Sequence, residues 1–191
     1  MRYLLLLAAL LTFQSVNAFD LEKTKLKAEQ GDPLIEYMLG IVYVHGLHGV
    51  LKNDTEAVKW FRKAADQGIL QAQYDLGVMY ANGDGVPEND AEAVNWYRKA
   101  ADSGLVEAQY ALANMYYYGD GVPENYVHAY VWLSMAKTDS QASEPDFLKA
   151  HIAKQQAIAA SFLDSLRSLM TKQQIAEAQS LAAQCYESDY K

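Results

Sequence analysis

The chain repeats itself with a period of 36 residues, and this period constrains its fold more than any other feature of the sequence. Residues 72–101 return as residues 108–137, with the matching positions 36 apart. The segment Gly-Asp-Gly-Val-Pro-Glu-Asn occurs whole in both copies, at 83–89 and at 119–125. A fixed period of this length is typical of a solenoid, in which each repeat is one small unit that stacks on its neighbours.

A third copy lies upstream, and a half copy precedes it. Residues 60–68 match residues 96–104 at the same spacing of 36, whereas residues 39–46 match their counterparts at a spacing of 37. The extra residue falls in the loop 46–50, where an insertion is tolerated because loops lie at the surface. The half copy predicts an N-terminal capping helix over residues 20–30.

Each repeat is predicted to form a helix, a turn and a second helix. In the second copy, residues 70–82 carry apolar side chains at intervals of three and four, which is the period of an amphipathic helix. Gly83 ends this helix because glycine accepts a positive φ, and Asn89 or Asp90 caps the next helix, predicted over 90–103. One such hairpin cannot bury its own apolar face, so stacked hairpins are expected to share a core.

Helical patterning continues after the third repeat. A polar loop over 138–145 precedes two predicted helices, 146–169 and 172–186, and Thr171 with Gln174 makes a capping box for the second. These helices are expected to shield the open end of the array. The predicted organisation is a solenoid over 19–138, with repeats at about 32–68, 69–104 and 105–138, and C-terminal capping helices over 139–191.

The pattern resembles the Sel-one-like repeat family, a branch of the tetratricopeptide-like helical solenoids. The resemblance covers about residues 31–138, and in the second repeat it is carried by Leu76-Gly77, Tyr80, Gly83, Gly85-Val86, Ala93, Trp96-Tyr97, Lys99-Ala100-Ala101 and Gly104. It implies an all-α fold, a right-handed α-α superhelical solenoid, and a non-enzymatic adaptor that holds partner proteins on a concave surface. Some exported bacterial relatives carry a cysteine pair in each repeat, which this chain lacks.

The third repeat departs from the family pattern. Leu133-Ser134-Met135 replace Tyr-Arg-Lys, and Ala113 replaces the glycine found at 77. We therefore expect this repeat to pack against the C-terminal cap.

The resemblance also implies where a partner would bind, since the first helix of each repeat lines the concave side in tetratricopeptide relatives. The positions expected to bind protein are Tyr37, His45, Tyr74, Asn82, Tyr110, Asn114, Tyr117 and Tyr118, with Ile41, Val44, Gln71, Val78, Ala81 and Glu107 beside them. Tyrosine suits recognition because it offers a large contact area and a polar hydroxyl. The alternative is that Tyr37, Tyr74 and Tyr110 only pack between repeats, whereas Tyr117 and Tyr118 are expected to be exposed.

The first eighteen residues are typical of a cleavable export signal. Arg2 gives a positive start, residues 3–13 are apolar, and small residues lead to Ala18, which predicts a mature chain beginning at Phe19. The apolar run is too short to span roughly 30 Å of hydrocarbon. We therefore expect a periplasmic or secreted protein without a membrane-inserted segment after cleavage.

Charge and cysteine content narrow the class of partner. The formal net charge is −8 and no basic run offsets it, which disfavours nucleic acid and anionic lipid surfaces. A basic or neutral protein or peptide fits better. The one cysteine, Cys185, cannot form an internal disulfide. It is predicted to be a small buried residue of the last helix, and the alternative is a disulfide with a partner.

Three sequence matches to catalytic or metal-binding motifs have simpler explanations, so no cofactor, metal or catalytic residue is expected. Ser134 and Lys137 match Ser-x-x-Lys of penicillin-binding enzymes, but the companion motifs are missing. His45 and His48 are too few to hold a metal, and residues 82–85 lack the ligands of a calcium loop. The alternatives to an adaptor are a structural subunit of an envelope complex and, last, a β-lactam or cell-wall hydrolase.

Overall fold

In the computed structural model, which describes residues 20–138 and 146–189, all regular secondary structure is helical. The helices of these residues are α1 (Leu21–Glu29), α2 (Pro33–His45), α3 (Asp54–Asp66), α4 (Leu70–Asn82), α5 (Asp90–Asp102), α6 (Val106–Tyr118), α7 (Tyr126–Thr138), α8 (Asp146–Leu169) and α9 (Lys172–Asp189), with a short 3-10 helix at Leu47–Gly49. The predicted leader over 1–18 and the predicted loop between 139 and 145 lie outside the described residues.

Three helical hairpins form the body of the array. We call α2, α4 and α6 the A-helices and α3, α5 and α7 the B-helices. Each A-helix packs on the B-helix that follows it, and α4 and α6 also pack on the B-helix before them. At the two ends, α1 packs on α2, whereas α8 and α9 both pack on α7. The predicted fold class, an all-α solenoid of three helix-turn-helix repeats with capping helices, is confirmed.

The helix ends repeat the same local signals in every hairpin. The asparagine before each B-helix accepts a hydrogen bond at its Oδ1 from a backbone N–H of the first turn; these caps are Asn53, Asn89 and Asn125, at 3.1, 3.1 and 3.0 Å. Asn89, rather than Asp90, is therefore the cap of α5. Each A-helix ends at a glycine in the left-handed region, at Gly46, Gly83 and Gly119.

The core consists of three clusters of buried side chains that aromatic residues join. Trp96 belongs to α5 but is buried in the cluster of the first repeat, and Trp132 of α7 packs against both the second and the third cluster. Tyr80 and Tyr116 likewise contact the clusters on either side of them. Because these rings cross from one repeat to the next, the hydrophobic core is continuous along the array.

Hydrogen bonds between repeats also recur at the same positions. Gln73 is buried at the start of α4, and its Nε2 donates to the carbonyl of Ala65 in the last turn of α3, at 3.1 Å. Gln109 makes the equivalent bond to the carbonyl of Ala101, at 3.4 Å. The backbone N–H groups of Gly68 and Gly104 also donate to these two carbonyls, so each buried amide adds a second hydrogen bond, which joins one repeat to the next. The repetition of Gln73 and Gln109 was visible in the sequence, but their contacts were not.

The third repeat changes where it meets the C-terminal helices. Ala113 stands in place of Gly77, and Leu133 stands in place of Tyr97. Leu133 is fully buried in a cluster that also contains Leu163 of α8. The prediction that this repeat packs against the C-terminal cap is confirmed.

Candidate partner-binding site

The three tyrosines predicted to form a ladder along the A-helices are half-buried, and each packs against another ring. The centroid distances are 5.6 Å for Tyr37 and Phe61, 5.7 Å for Tyr74 and Tyr97, and 6.2 Å for Tyr110 and Phe162. Phe61 and Tyr97 belong to the B-helix of the same hairpin, and Phe162 belongs to α8. These tyrosines therefore have a packing role, as the alternative proposed. The ring contacts of Tyr37 and Tyr74 lie within one hairpin, and that of Tyr110 joins α6 to α8.

The last two tyrosines of α6 differ in exposure. Tyr118 is 66% exposed, as predicted. The expectation that Tyr117 is exposed in the same way is wrong, because Tyr117 is half-buried and its ring centroid lies 4.9 Å from that of Phe162 and 5.5 Å from that of Tyr126. An alanine at 117 would remove contacts that stabilise the fold. Tyr118 is therefore the residue of this pair with which binding can be tested.

A cavity of about 220 Å³ lies between the first two A-helices, and it contains several residues of the predicted groove. The predicted residues that line it are Ile41, Val44, His45 and Val78. The ring of Phe61, which is 1% exposed, lines it from α3. The space exists because α2 and α4 both pack on α3 but do not pack closely on each other. Four residues that the sequence assigned to the groove therefore line one cavity in the structure.

The cavity also contains an acidic residue that the sequence prediction overlooked. The Oδ2 atom of Asp75 accepts a hydrogen bond from the hydroxyl of Tyr37 at 3.0 Å. Burial raises the pKa of Asp75 to about 6, although this hydrogen bond and the nearby His45 act to lower it. The counterparts of Asp75 in the other repeats are Met38 and Ala111, so its departure from the repeat was the available signal.

The other charged groups around the cavity are mostly acidic. Asp54 pairs with Lys52 at 3.1 Å, and Asp84 accepts a hydrogen bond from the exposed Asn82 at 3.2 Å. Within the part of the chain that the structure describes, Asp75 forms no ion pair with a lysine or arginine. The cavity therefore combines apolar side chains with the carboxylates of Asp54, Asp75 and Asp84.

Two large apolar side chains extend this surface along α2. Leu34 is 62% exposed and Met38 is 51% exposed. They are four residues apart, and Ile41 and His45 continue the same helical spacing toward the cavity, so the four share one face of α2. We call the outward side of α2, α4 and α6 that contains these residues, Asp75, Val78 and Tyr118 the A-helix face.

Of the remaining predicted residues, Asn114 is half-buried and Cys185 lies at a second cavity. That cavity has a volume of about 330 Å³ between α7 and α9, and His128, Trp132 and Leu181 line it together with Cys185. Cys185 is half-buried and packs against the third core cluster. This position fits its predicted place on the apolar stripe of the last helix, although the residue is not fully buried.

Three further observations concern the Ser-x-x-Lys match, metal-binding groups and membrane-spanning helices. Ser134 is half-buried in the middle of α7. In residues 20–138 and 146–189, no three histidine, cysteine, aspartate or glutamate side chains are grouped to hold a metal ion. None of the helices in these ranges has the length and hydropathy to cross a bilayer.

Comparison with known proteins identifies relatives of the repeats. The Sel1 repeat model matches residues 36–69, 70–105 and 106–138. The crystal structure of a Sel1 repeat protein from Oxalobacter formigenes is 38% identical and superposes with a TM-score of 0.59, covering 66% of this chain and 95% of that chain. The structure of c5321, a protective antigen of uropathogenic Escherichia coli with an SLR fold, is 29% identical with a TM-score of 0.56, covering 87% of this chain and 40% of that chain.

Two curated eukaryotic proteins match over shorter stretches. The ERAD-associated E3 ubiquitin-protein ligase component HRD3A of Arabidopsis thaliana is 35% identical over 66 residues, which is 35% of this chain and 10% of that protein. The chitin synthase regulator SKT5 of Malassezia restricta is 36% identical over 63 residues, which is 32% of this chain and 4% of that protein. The chain thus spans a tenth or less of the length of these relatives, and the likeness concerns the repeats.

Proposed function

The chain belongs to the Sel1 repeat family, whose repeats generally mediate protein–protein interaction, and we propose that its A-helix face binds a segment of a partner protein. The observation that carries the proposal is the exposed apolar surface of Leu34 and Met38, which continues into the cavity over Phe61. Exposed apolar side chains that lie together on a soluble domain are typical of interaction sites. The net charge of −8 favours a basic or neutral partner.

Sel1 repeat proteins are typically non-catalytic scaffolds, and we propose a non-catalytic role for this chain. The Ser-x-x-Lys match at Ser134 favours an enzyme, but its four residues occupy positions in α7 that are equivalent to residues 98–101 of α5. The purified chain is expected not to hydrolyse a chromogenic β-lactam or peptidoglycan. Hydrolysis that disappears in Ser134→Ala would contradict this proposal.

Negative charge introduced on the A-helix face is expected to weaken partner capture strongly without unfolding the chain. In Leu34→Glu/Met38→Glu, two exposed apolar contacts are replaced by carboxylates, which would have to be desolvated in the complex. The loss is expected to be about thirtyfold or more in affinity, because even one hot-spot residue contributes about 2 kcal/mol or more. The measurement is quantitative affinity capture from the cells that express the chain, in which the double variant and its control are each compared with wild type.

The matched control carries the same charge change on a B-helix. Ala91 and Asn95 are exposed, also four residues apart, on α5. Ala91→Glu/Asn95→Glu is expected to capture the same partner as wild type. If the control loses the partner and the A-helix variant keeps it, the proposed face is the wrong one.

We also propose that the chain is exported to the periplasm or the medium after cleavage behind Ala18. The support is the signal pattern of residues 1–18, namely a positive start, an apolar run and small residues before the cleavage point. Intact-mass measurement of the chain recovered from its native cells is expected to give a protein that begins at Phe19. A full-length chain recovered from the cytoplasm would contradict the proposal.

A further inference from the structure

The cavity between α2 and α4 combines apolar walls with three carboxylates, including that of Asp75, which is half-buried and accepts the Tyr37 hydrogen bond. Its volume of about 220 Å³ is below the roughly 300–1,000 Å³ that is typical of small-molecule sites. The apolar lining comes from Ile41, Val44, Val78 and Phe61, and Asp75 lines the cavity beside them. The size and lining suit one inserted side chain better than a cofactor.

We infer that this cavity receives a bulky apolar side chain of the partner protein, and that Asp75 pairs with a lysine or arginine next to that side chain in the partner sequence. The inference rests on the proposed function, because it names the chemistry of the segment that the A-helix face binds. It adds a position and a sequence preference that the family resemblance does not supply.

The geometry of Asp75 favours a cation from outside the chain. Its Oδ2 is held by the hydroxyl of Tyr37 at 3.0 Å, whereas no hydrogen bond from the described residues reaches its Oδ1. Lys52, which also lines the cavity, is occupied by Asp54 at 3.1 Å. An oriented carboxylate with a free oxygen suits a charge-assisted hydrogen bond from a lysine or arginine.

The charges around Asp75 also favour a positively charged group of the partner. Asp54 and Asp84 line the cavity with Asp75, and Glu107 of α6 adds a further negative charge near it. Within a binding surface, complementary charge contributes specificity and speeds association. The positions equivalent to Asp75 are Met38 and Ala111, so only the second repeat offers a carboxylate there. The lysine or arginine of the partner would therefore set the register in which the segment binds.

Binding of such a segment is expected to weaken in acid. A cation pairs with the ionised form of Asp75, whose pKa burial raises to about 6, so affinity should fall as the pH decreases through this value. The titratable groups around Asp75 are Tyr37 and His45 from α2, Tyr74 from α4, Tyr97 from α5 and Glu107 from α6, and the same cavity also contains Lys52, Asp54 and Asp84. Comparison with Asp75→Asn isolates the part of the pH dependence that belongs to Asp75.

The test is selection of a displayed library of random short peptides on the full chain. Enriched peptides are expected to carry lysine or arginine beside leucine, isoleucine, methionine or phenylalanine. The best of them, made synthetically, is expected to bind Asp75→Asn roughly tenfold more weakly, since a hydrogen bond between charged groups contributes that much. Asp66→Asn is the matched control with little expected change, because Asp66 is exposed at the end of α3 and does not line the cavity.

Folding does not confound this comparison. An asparagine at 75 can still accept the Tyr37 hydrogen bond, and it removes a carboxylate whose charged form burial disfavours. The thermal unfolding temperature of Asp75→Asn should therefore be no lower than that of wild type above pH 6. Peptides that lack a basic residue, or that bind Asp75→Asn as tightly as wild type, would overturn the inference, as would a selection that enriches none.

A failure of this inference can be told apart from a failure of the proposed function. Selected peptides that need Leu34 and Met38 but not Asp75 would overturn the inference alone. Selected peptides that bind Leu34→Glu/Met38→Glu and Asp75→Asn as tightly as wild type would overturn both.

Discussion

Gly85→Ala is expected to destabilise the chain by about 2–5 kcal/mol, more than alanine at a glycine of an exposed turn. Gly85 lies in the loop between α4 and α5 with a φ of +71°, which costs an alanine roughly 1–2 kcal/mol. A Cβ atom there would also overlap the backbone of Asp54 and lie 2.6 Å from the backbone nitrogen of Thr55. Because these are backbone atoms of the preceding repeat, overpacking adds about 1–3 kcal/mol or more.

Urea unfolding followed by the helical circular dichroism signal measures this loss. Gly68→Ala is the matched control, since Gly68 has a φ of +88° but no neighbouring atom within 4 Å of the added Cβ. It should lose only the conformational cost of about 1–2 kcal/mol. Gly121→Ala, whose Cβ would meet Asp90 and Ala91, should repeat the loss seen at Gly85. Equal losses at 68, 85 and 121 would contradict the close stacking of each loop on the repeat before it.

Gly77→Ala is expected to cost about 1–3 kcal/mol, because α4 and α5 touch at this position. An added Cβ would lie 2.6 Å from the Cδ1 and Cε1 atoms of Tyr97, a ring that is 5% exposed and has little space to move. The third repeat carries Ala113 and Leu133 at these two positions. The larger residue on the A-helix is thus accompanied by a smaller one on the B-helix. The measurement is the free energy of unfolding in urea.

The same pair provides a rescue experiment. If the contact causes the loss, Tyr97→Leu should tolerate alanine at 77 better than the wild-type chain does, as the third repeat suggests. A double-mutant cycle is expected to give a coupling energy of about 0.5–3 kcal/mol in the favourable direction. Additive losses from Gly77→Ala and Tyr97→Leu would show that the two residues do not interact as the structure indicates.

Features that depend on nearby residues could be predicted from the sequence. The asparagine caps, the glycine helix ends and the capping box of α9 each involve residues a few positions apart, so the amino-acid types alone indicate them. In the box, the backbone N–H of Thr171 donates to Gln174 Oε1 at 2.9 Å, and the backbone N–H of Gln174 donates to Thr171 Oγ1 at 3.2 Å. The stacking of repeats could also be predicted, from the 36-residue period, because each copy must bury the same apolar face.

Features that depend on which faces meet could not be predicted in this way. Tyr117 is half-buried because Phe162 of α8 lies against it, and no periodicity connects those two positions. Asp75 combines partial burial with a hydrogen bond from Tyr37 of another repeat, which requires the relative placement of α2 and α4. The repeats therefore indicated several residues of the A-helix face, whereas the environment of Asp75 required the structure.

The central claim is that the A-helix face contacts a partner protein, and site-specific photocrosslinking in the native cells tests it most directly. A photoreactive amino acid would replace Met38 or Tyr118 on this face, and Lys59 or Asn95 on the B-helices; all four side chains are exposed. We expect a crosslinked partner of one defined mass from positions 38 and 118 and none from positions 59 and 95. Crosslinks from 59 and 95 alone, or equally from all four positions, would contradict the account.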